Sequence, residues 1–193
     1  MELTLDLNKR YTYADYYKWL DDKRRELIDG FIRLMSPTTR KHQEVSGNLC
    51  GELRHIIKKN RGKCEIYSAP FDVRLPQQES ETSDDKIYTV VQPDICIVCD
   101  QSKLDDRGCI GAPDFIAEIQ SSTTAKYDLT EKFNLYEKSG VREYWVIVPN
   151  EWVQVFLLQS DGKYDDGTSY EKGKIPVHVL DGLKIDLEDI FTL

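Results

Sequence analysis

The chain has 193 residues, 40% of them hydrophobic and 31% charged, a size and composition that predict one soluble domain over residues 1–193. Its formal net charge of −8 argues against a protein that holds duplex nucleic acid through a broad basic surface, although a bound metal ion could supply positive charge locally. No apolar run approaches the roughly 20 residues that span a bilayer, and the acidic start lacks the pattern of a signal peptide, so we expect a cytoplasmic protein without a membrane partner.

The first elements are marked by a helix cap and a tight turn. Thr12 has the position of an N-cap for a helix over Tyr13–Leu20, and Asp15 completes a capping-box pattern with it. Asp29-Gly30, between two apolar pairs, is typical of a hairpin turn and predicts a hairpin over Glu26–Leu34.

A longer helix is predicted from about Arg40 to Asn60, because apolar residues recur there with a 3.6-residue period and Gly62 follows the end. Three basic residues lie at that end: Lys58, Lys59 and Arg61. A short basic cluster of this kind is usually a solvated helix end, and a nucleic-acid contact is the alternative.

The rest of the chain alternates short apolar segments with turn signals, and a polar loop is predicted over residues 76–85. The predicted strands are Glu65–Leu75, Val90–Cys99, Phe115–Gln120, Glu143–Val148 and Trp152–Gln159. A hairpin turn is predicted after the last of them, at Ser160–Gly162. A helix is predicted over Ala125–Ser139, and the tail Leu183–Leu193 alternates apolar and acidic residues. The order is helix, three strands, helix, strand, with additions at both ends, which predicts an α/β (α+β) domain.

The five cysteines are odd in number and scattered, and without an export signal free buried thiols are their expected state. Cys96 and Cys99 form a C-x-x-C pair. On a strand their odd separation places them on opposite faces, and no second C-x-x-C is present to complete a zinc site. Metal binding by cysteine is therefore rejected.

Two Pro-Asp pairs compete as the source of a first acidic site residue. Asp114 precedes Glu118 by four residues on the same predicted strand, which separates the two by about 13 Å, too far to share one ion. Asp94 precedes Glu118 by 24 residues, enough to end one strand, turn and begin a neighbouring one. Asp94 is therefore the candidate partner of Glu118.

Glu118 and Gln120 are two residues apart and project from one face of the predicted strand, while Ala117 and Ile119 point into apolar packing. A carboxylate in such a strand is costly to bury unless something pairs with it, and a divalent cation is one solution. Mg²⁺ prefers a few carboxylates together with water and phosphate oxygens. Asp94 and Glu118 are thus candidate metal ligands.

Asp128, Lys132 and Tyr136 recur at helical spacing in the next predicted helix. An Asp128–Lys132 pair on the helix surface would be worth only a few tenths of a kcal/mol and is the more common situation. Alternatively, Lys132 reaches over the strand ends towards Glu118 and orients water or stabilises charge in the transition state.

His42 and Glu26 are two further candidates with ordinary alternatives. A histidine on the apolar side of a helix is more often a hydrogen-bonded core residue than a ligand, yet the position of His42 near the helix start could direct it into a cleft. Glu26 alone would be a surface acid, but beside Asp94 and Glu118 it would be a third acidic group.

Seven segments occur in an order that resembles one family. They are Glu26-Leu27-Ile28-Asp29-Gly30, Met35-Ser36-Pro37 with His42, Gln92-Pro93-Asp94, Gly111-Ala112-Pro113-Asp114, Glu118-Ile119-Gln120-Ser121, Asp128 with Lys132 and Tyr136, and Gly140-Val141-Arg142-Glu143-Tyr144-Trp145. The set resembles the Uma-two family of bacterial proteins, a branch of the PD-(D/E)XK, restriction-endonuclease-like superfamily, over roughly residues 12–192.

This resemblance implies a mixed central sheet flanked by helices and a nuclease site that uses Mg²⁺ or Mn²⁺. Asp94 takes the place of the PD aspartate, Glu118 that of the second acid, and Gln120 that of the signature lysine. Glutamine can orient a water molecule but carries no charge. In some families of this superfamily the lysine lies on the next helix, which raises Lys132 to a catalytic candidate and Glu26 and His42 to site neighbours.

Two functions of different class follow. The first is a metal-dependent endonuclease that hydrolyses phosphodiester bonds, with DNA as the expected substrate and a homodimer as the expected assembly, because a duplex has two strands to cut. The second is a nuclease-fold protein with little or no catalysis that acts as a nucleic-acid-binding or regulatory module. The net charge of −8 and Gln120 favour the second.

Overall fold

The computed structural model describes residues 5–21, 23–60, 62–78, 80–120 and 125–191, with the side chains of 125–129 left out. Its helices are α1 (Tyr13–Tyr16), α2 (Arg40–Lys59), α3 (Ala125–Ser139) and α4 (Leu187–Ile190). Its strands are β1 (Arg25–Ile28), β2 (Phe31–Leu34), β3 (Glu65–Ser68), β4 (Asp72–Arg74), β5 (Val90–Val91), β6 (Ile95–Val98), β7 (Leu104–Asp105), β8 (Gly108–Ile110), β9 (Phe115–Ile119), β10 (Glu143–Val148), β11 (Trp152–Leu157), β12 (Thr168–Tyr170), β13 (Lys174–Val177) and β14 (Leu183–Asp186). Within these residues no helix is long and apolar enough to cross a membrane.

A mixed sheet with the strand order β12-β11-β10-β9-β6-β3 lies at the centre of the fold. Strands β9 and β10 are parallel, and the other neighbours are antiparallel. Helix α2 packs on one face of this sheet and α3 on the other. The predicted α/β fold with a mixed central sheet between helices is therefore confirmed, and α2, β3, β6, β9, α3 and β10 follow the predicted order.

Helix α2 begins and ends close to the predicted positions and presents its apolar stripe to the central sheet. Val45, Leu49 and Leu53 are buried there, as their period requires. The Thr39 side chain caps the helix by accepting a hydrogen bond from the backbone N–H of His42 at 3.2 Å. This cap fixes His42 in the first turn. Arg61 of the basic cluster lies outside the described residues.

Two predicted strands were wrong as single strands, because each is divided at a proline. Glu65–Leu75 separates at Pro70 into β3 and β4, and Val90–Cys99 separates at Pro93 into β5 and β6. Proline has no N–H group for a strand ladder, so the chain leaves one sheet and enters another. The halves β4 and β5 join a second sheet of order β2-β1-β5-β4-β8-β7, which the sequence analysis did not predict. Asp94 consequently lies where the chain crosses between the two sheets.

Other boundaries also differ from prediction. Helix α1 ends at Tyr16 rather than Leu20, because the next N–H groups form i→i−3 turn bonds, from Lys18 to the Asp15 carbonyl and from Trp19 to the Tyr16 carbonyl. The region rich in Asp and Gly between Cys99 and Phe115, for which no strand was predicted, forms β7 and β8 at an edge of the second sheet.

The cysteines correct another expectation. Cys64 and Cys99 form a disulfide, whereas Cys50, Cys96 and Cys109 are free. Cys64 directly precedes β3 and Cys99 directly follows β6, and these strands pair with Glu65 opposite Val98. The two cysteines thus face each other across the sheet. Their sequence separation of 35 residues conceals this pairing, which the scattered spacing could not predict.

Removal of this disulfide is expected to lower the free energy of unfolding by about 4 kcal/mol, because the bond closes a loop of 35 residues in the unfolded chain. Urea denaturation of the wild type with and without dithiothreitol measures the effect. A Cys64→Ala/Cys99→Ala variant is the control, since it should have the lower stability in both conditions. Equal stability of the oxidised and reduced wild type would contradict the prediction.

Candidate active site

Asp94 and Glu118 meet where β6 and β9 pair. The antiparallel register sets Ile95 opposite Ala117, so Asp94 and Glu118 occupy the next opposing positions. The predicted strand Val90–Cys99 would have contained Asp94. In the structure Asp94 instead lies just before β6. Its Oδ2 atom accepts a hydrogen bond from the backbone N–H of Ile119 at 2.8 Å and contacts His42 Nε2 at 3.0 Å. Two elements therefore hold the Asp94 carboxylate in position.

Glu118 points to the α3 side of the central sheet, where two side chains of α3 contact it. Lys132 Nζ donates to Glu118 Oε1 at 2.9 Å, and the Tyr136 hydroxyl donates to the same oxygen at 2.6 Å. Residues one turn apart on a helix share a face, which explains why both reach one carboxylate. Lys132 is mostly buried, so the expectation of a surface Asp128–Lys132 pair does not describe it. The Asp128 side chain lies outside the described residues.

Glu26 completes this buried group of charges. Its Oε1 atom accepts from Lys132 Nζ at 3.1 Å and from the backbone N–H of Gln92 at 2.9 Å. Glu26 is 5% exposed and Glu118 6%, so Lys132 bridges two carboxylates that are both shielded from water. A single ammonium group thus links β1, β9 and α3.

The electrostatics of the cluster are dominated by burial and by an excess of negative charge. Burial raises the pKa of Glu118 to about 7, with Asp94 and Glu26 acting in the same direction and Lys132 and Tyr136 opposing them. Burial alone would lower the pKa of Lys132, but Glu118 and Glu26 raise it well above its usual range. Lys132 therefore stays charged, and the cluster favours additional positive charge.

Gln120 follows β9, and its backbone N–H donates to the Ile147 carbonyl at 2.8 Å. Its side chain is 6% exposed and lines the same cavity as Glu118. The cavity has a volume of about 320 Å³. The sequence-predicted candidates that line it are Glu26, His42, Asp94, Glu118, Gln120 and Lys132.

Two neighbours of the site were missed by the sequence analysis. Arg33 lies opposite Glu26 in the β1–β2 hairpin and contacts Glu131 of α3 at 3.0 Å. The position of Arg33 could have been predicted from the Asp29-Gly30 turn, because a two-residue turn sets Ile28 opposite Phe31 and hence Glu26 opposite Arg33. Gln92 holds Glu26 through its backbone N–H, a role that no local pattern indicates.

A divalent cation is compatible with this donor set. Within the described residues, no three or more His, Cys, Asp or Glu side chains form a group that could hold a metal ion. Mg²⁺, however, commonly uses one or two protein carboxylates and keeps several waters. Asp94 and Glu118 supply two hard oxygen donors in a cluster that favours more positive charge. The residues therefore fit a partly hydrated ion.

Comparison with known proteins shows a family and a fold that this chain shares. A family model described as "Uma2: Putative restriction endonuclease" matches residues 13–188. The crystal structure of a protein described as "a putative nuclease belonging to DUF820", from Anabaena variabilis, matches with a TM-score of 0.71 and 19% sequence identity, covering 94% of this chain and 98% of that chain. At this identity the likeness shows the fold. No curated protein matches the sequence.

Proposed function

Because the chain belongs to the Uma2 family of restriction-endonuclease-like proteins, we propose that it is a divalent-metal-dependent endonuclease that hydrolyses phosphodiester bonds in DNA. The observation that carries this proposal is the convergence of Asp94, Glu118 and Lys132 on one cavity. Two carboxylates and a buried cation beside a space open to substrate are the groups that phosphodiester cleavage needs.

Asp94 and Glu118 would hold Mg²⁺ or Mn²⁺. When bound, the ion supplies a Lewis acid that polarises the phosphate and lowers the pKa of a coordinated water molecule. The preference for these ions over softer metals follows from the oxygen donors.

The chain's own residues prepare the site for this chemistry. His42 and the Ile119 N–H orient the Asp94 carboxylate, and Tyr136 orients that of Glu118. Lys132 places a fixed positive charge at the cavity wall, where it stabilises negative charge that develops on the phosphate. The amide of Gln120 can orient a water molecule or a phosphate oxygen but adds no charge.

Lys132 thus takes the role of the signature lysine of the PD-(D/E)XK superfamily. Its Nζ atom contacts Glu118 directly at 2.9 Å, although it comes from α3 and not from the strand position of Gln120. The neutral Gln120 therefore does not deprive the cavity of positive charge. A homodimer would be needed only if the substrate is a duplex, since two copies are required to cut both of its strands at once.

A nuclease-fold protein that binds nucleic acid without cutting it is the competing function. The acidic net charge and the glutamine at position 120 favour it. Calorimetry separates the two functions, because the nuclease requires Mg²⁺ or Mn²⁺ to bind at millimolar concentration or below. Absence of that binding would favour the non-catalytic function.

The proposed function is tested by incubating plasmid and single-stranded DNA with the full chain and Mn²⁺. We expect cleavage by the wild type, no cleavage in EDTA, and a rate at least about 100-fold lower for Glu118→Ala. Circular dichroism confirms that the variant is folded at the assay temperature. Equal rates for the wild type and the variant would sink the assignment, because a contaminating nuclease would then explain the activity.

A further inference from the structure

A second cavity of about 370 Å³ adjoins the candidate active site along helix α2. It runs between α2 and the end of β3, and we name it the α2–β3 groove. The residues that define it here are Arg24, Ser46, Gly47, Gly51, Arg54 and Ser68. His42 and Asp94 line both this groove and the cavity of the active site, so the two spaces meet at the Asp94 carboxylate.

The groove carries two guanidinium groups that no described carboxylate neutralises. Arg24 donates to the side-chain oxygen of Gln92 at 3.2 and 3.4 Å, and Arg54 donates to the Ile66 carbonyl at 3.4 Å. Both arginines are exposed. Among the described lining residues, Asp94 is the one carboxylate. In a chain with a net charge of −8, the groove is thus a place where positive side-chain charge locally exceeds negative charge.

Two glycines in the wall of the groove have no evident role in folding. Gly47 and Gly51 lie in the interior of α2, where glycine is an unfavourable residue. A Cβ atom at either position would meet nothing within 4 Å, so packing does not require glycine there. The missing side chains leave one wall of the groove low and let a polymer backbone approach the helix closely. Glycine in a helix interior without a structural reason departs from local helix preference, and such departures are typical of functional surfaces.

We propose that the α2–β3 groove binds a single strand of nucleic acid, with its phosphates at Arg24 and Arg54, and leads that strand past Asp94 to the active site. The inference rests on the proposed nuclease function and names the form of its substrate. The groove has a volume of about 370 Å³, comparable to a site for one small ligand, which matches a short contact with one strand. Two exposed cations suit a short contact with one strand, whereas a duplex that contacts many phosphates needs a broader basic surface than a chain with a net charge of −8 supplies.

The salt dependence of oligonucleotide binding gives a numerical test of the contact between the two arginines and the phosphates. For single strands, the logarithm of the binding constant falls with the logarithm of salt concentration by about 0.7 for each phosphate neutralised. Removal of Arg24 or Arg54 should therefore reduce the slope by about 0.7 and weaken binding by about fivefold at low salt. Removal of an exposed cation outside the groove should change neither quantity.

The test measures binding of a fluorescein-labelled 12-nucleotide oligothymidylate to the full chain by anisotropy, in EDTA so that binding is read without cleavage. The variants are Arg24→Ala, Arg54→Ala and Gly51→Gln, with Lys59→Ala as the charge-matched control. Lys59 lies on the same helix, is exposed and does not line the groove. We expect weaker binding for all three groove variants and unchanged binding for the Lys59→Ala control. Gly51→Gln should also keep or raise the melting temperature, because glutamine favours a helix and fills the groove without disturbing the core.

Cys50 provides an independent probe of location. It is a free, partly exposed cysteine that lines the groove, whereas the other free cysteines, Cys96 and Cys109, are buried. Saturating oligonucleotide should slow alkylation of Cys50 by at least about fivefold. Unchanged alkylation would overturn the proposed location.

Other outcomes also decide against the groove: no binding by the wild type, equal weakening by Lys59→Ala, or tighter binding of a duplex of the same length. The cleavage assay keeps this result separate from the proposed function. If the wild type cleaves DNA and the groove variants keep its KM, the groove fails and the nuclease stands. If the groove variants bind the oligonucleotide more weakly, as expected, but the wild type does not cleave DNA, the nuclease function is rejected and the groove is retained as a binding site.

Discussion

Lys132→Gln is expected to reduce DNA cleavage by about 100- to 1000-fold and to lower the free energy of unfolding by about 3–5 kcal/mol. The ammonium group of Lys132 lies 2.9 Å from Glu118 Oε1 and 3.1 Å from Glu26 Oε1. Glutamine would leave these two buried carboxylates without their shared cation. Breaking a buried ion pair from one side is costly because the remaining charges stay shielded from water.

The two effects are measured separately, by urea denaturation and by plasmid cleavage with Mn²⁺ at a temperature where the variant remains folded. Lys138→Gln is the matched control, since Lys138 is exposed in the last turn of the same helix. It should leave both quantities unchanged. Full cleavage activity in Lys132→Gln would show that Lys132 only holds the fold together.

Asp94→Asn is expected to abolish Mn²⁺ binding in the millimolar range and to reduce cleavage by about 1000-fold, while the fold is retained. Asparagine preserves the shape of the side chain, and its oxygen can still accept the hydrogen bond from the Ile119 N–H. The negative charge that attracts a cation is lost. Folding and function therefore separate at this position, in contrast to Lys132.

Asp114→Asn is the control for this change, because Asp114 also follows a proline. Its carboxylate accepts hydrogen bonds from the Cys99 N–H at 2.8 Å and from Arg142 at 3.0 Å, away from the active-site cavity. Calorimetry with Mn²⁺ and plasmid cleavage should give wild-type values for Asp114→Asn. Equal Mn²⁺ binding by Asp94→Asn and the wild type would remove Asp94 from the ligand set.

The helices and the faces of the strands could be predicted from the sequence because they depend on local periodicity. The apolar stripe of α2 and the alternation of Ala117, Glu118 and Ile119 are short-range patterns, and the structure has both. The division of two predicted strands at Pro70 and Pro93 could also have been predicted from the sequence, since each proline lacks the N–H group that donates a hydrogen bond between strands. What no local pattern indicated was that the halves enter different sheets.

The burial of Lys132 shows why local spacing misjudged part of the site. Spacing of four residues from Asp128 predicts a weak surface pair, a situation worth a few tenths of a kcal/mol. Packing of α3 against β9 and β1 instead buries the ammonium group between two carboxylates, one of them 106 residues away in sequence. Tertiary burial outweighs the local preference because it changes the surroundings of a charge, and such effects amount to several kcal/mol.

The sequence by itself therefore determined the order of the central elements from α2 to β10, the face on which each polar side chain of β9 lies, and the preference for Asp94 over Asp114. These follow from dihedral preferences and from distances along one strand, which act over a few residues. The tertiary structure alone decided that Asp94 stands opposite Glu118, that Glu26 shares Lys132 with it, and that Cys64 bonds to Cys99. Those contacts join residues distant in sequence, and their partners are chosen by strand register and core packing, which depend on the whole folded chain.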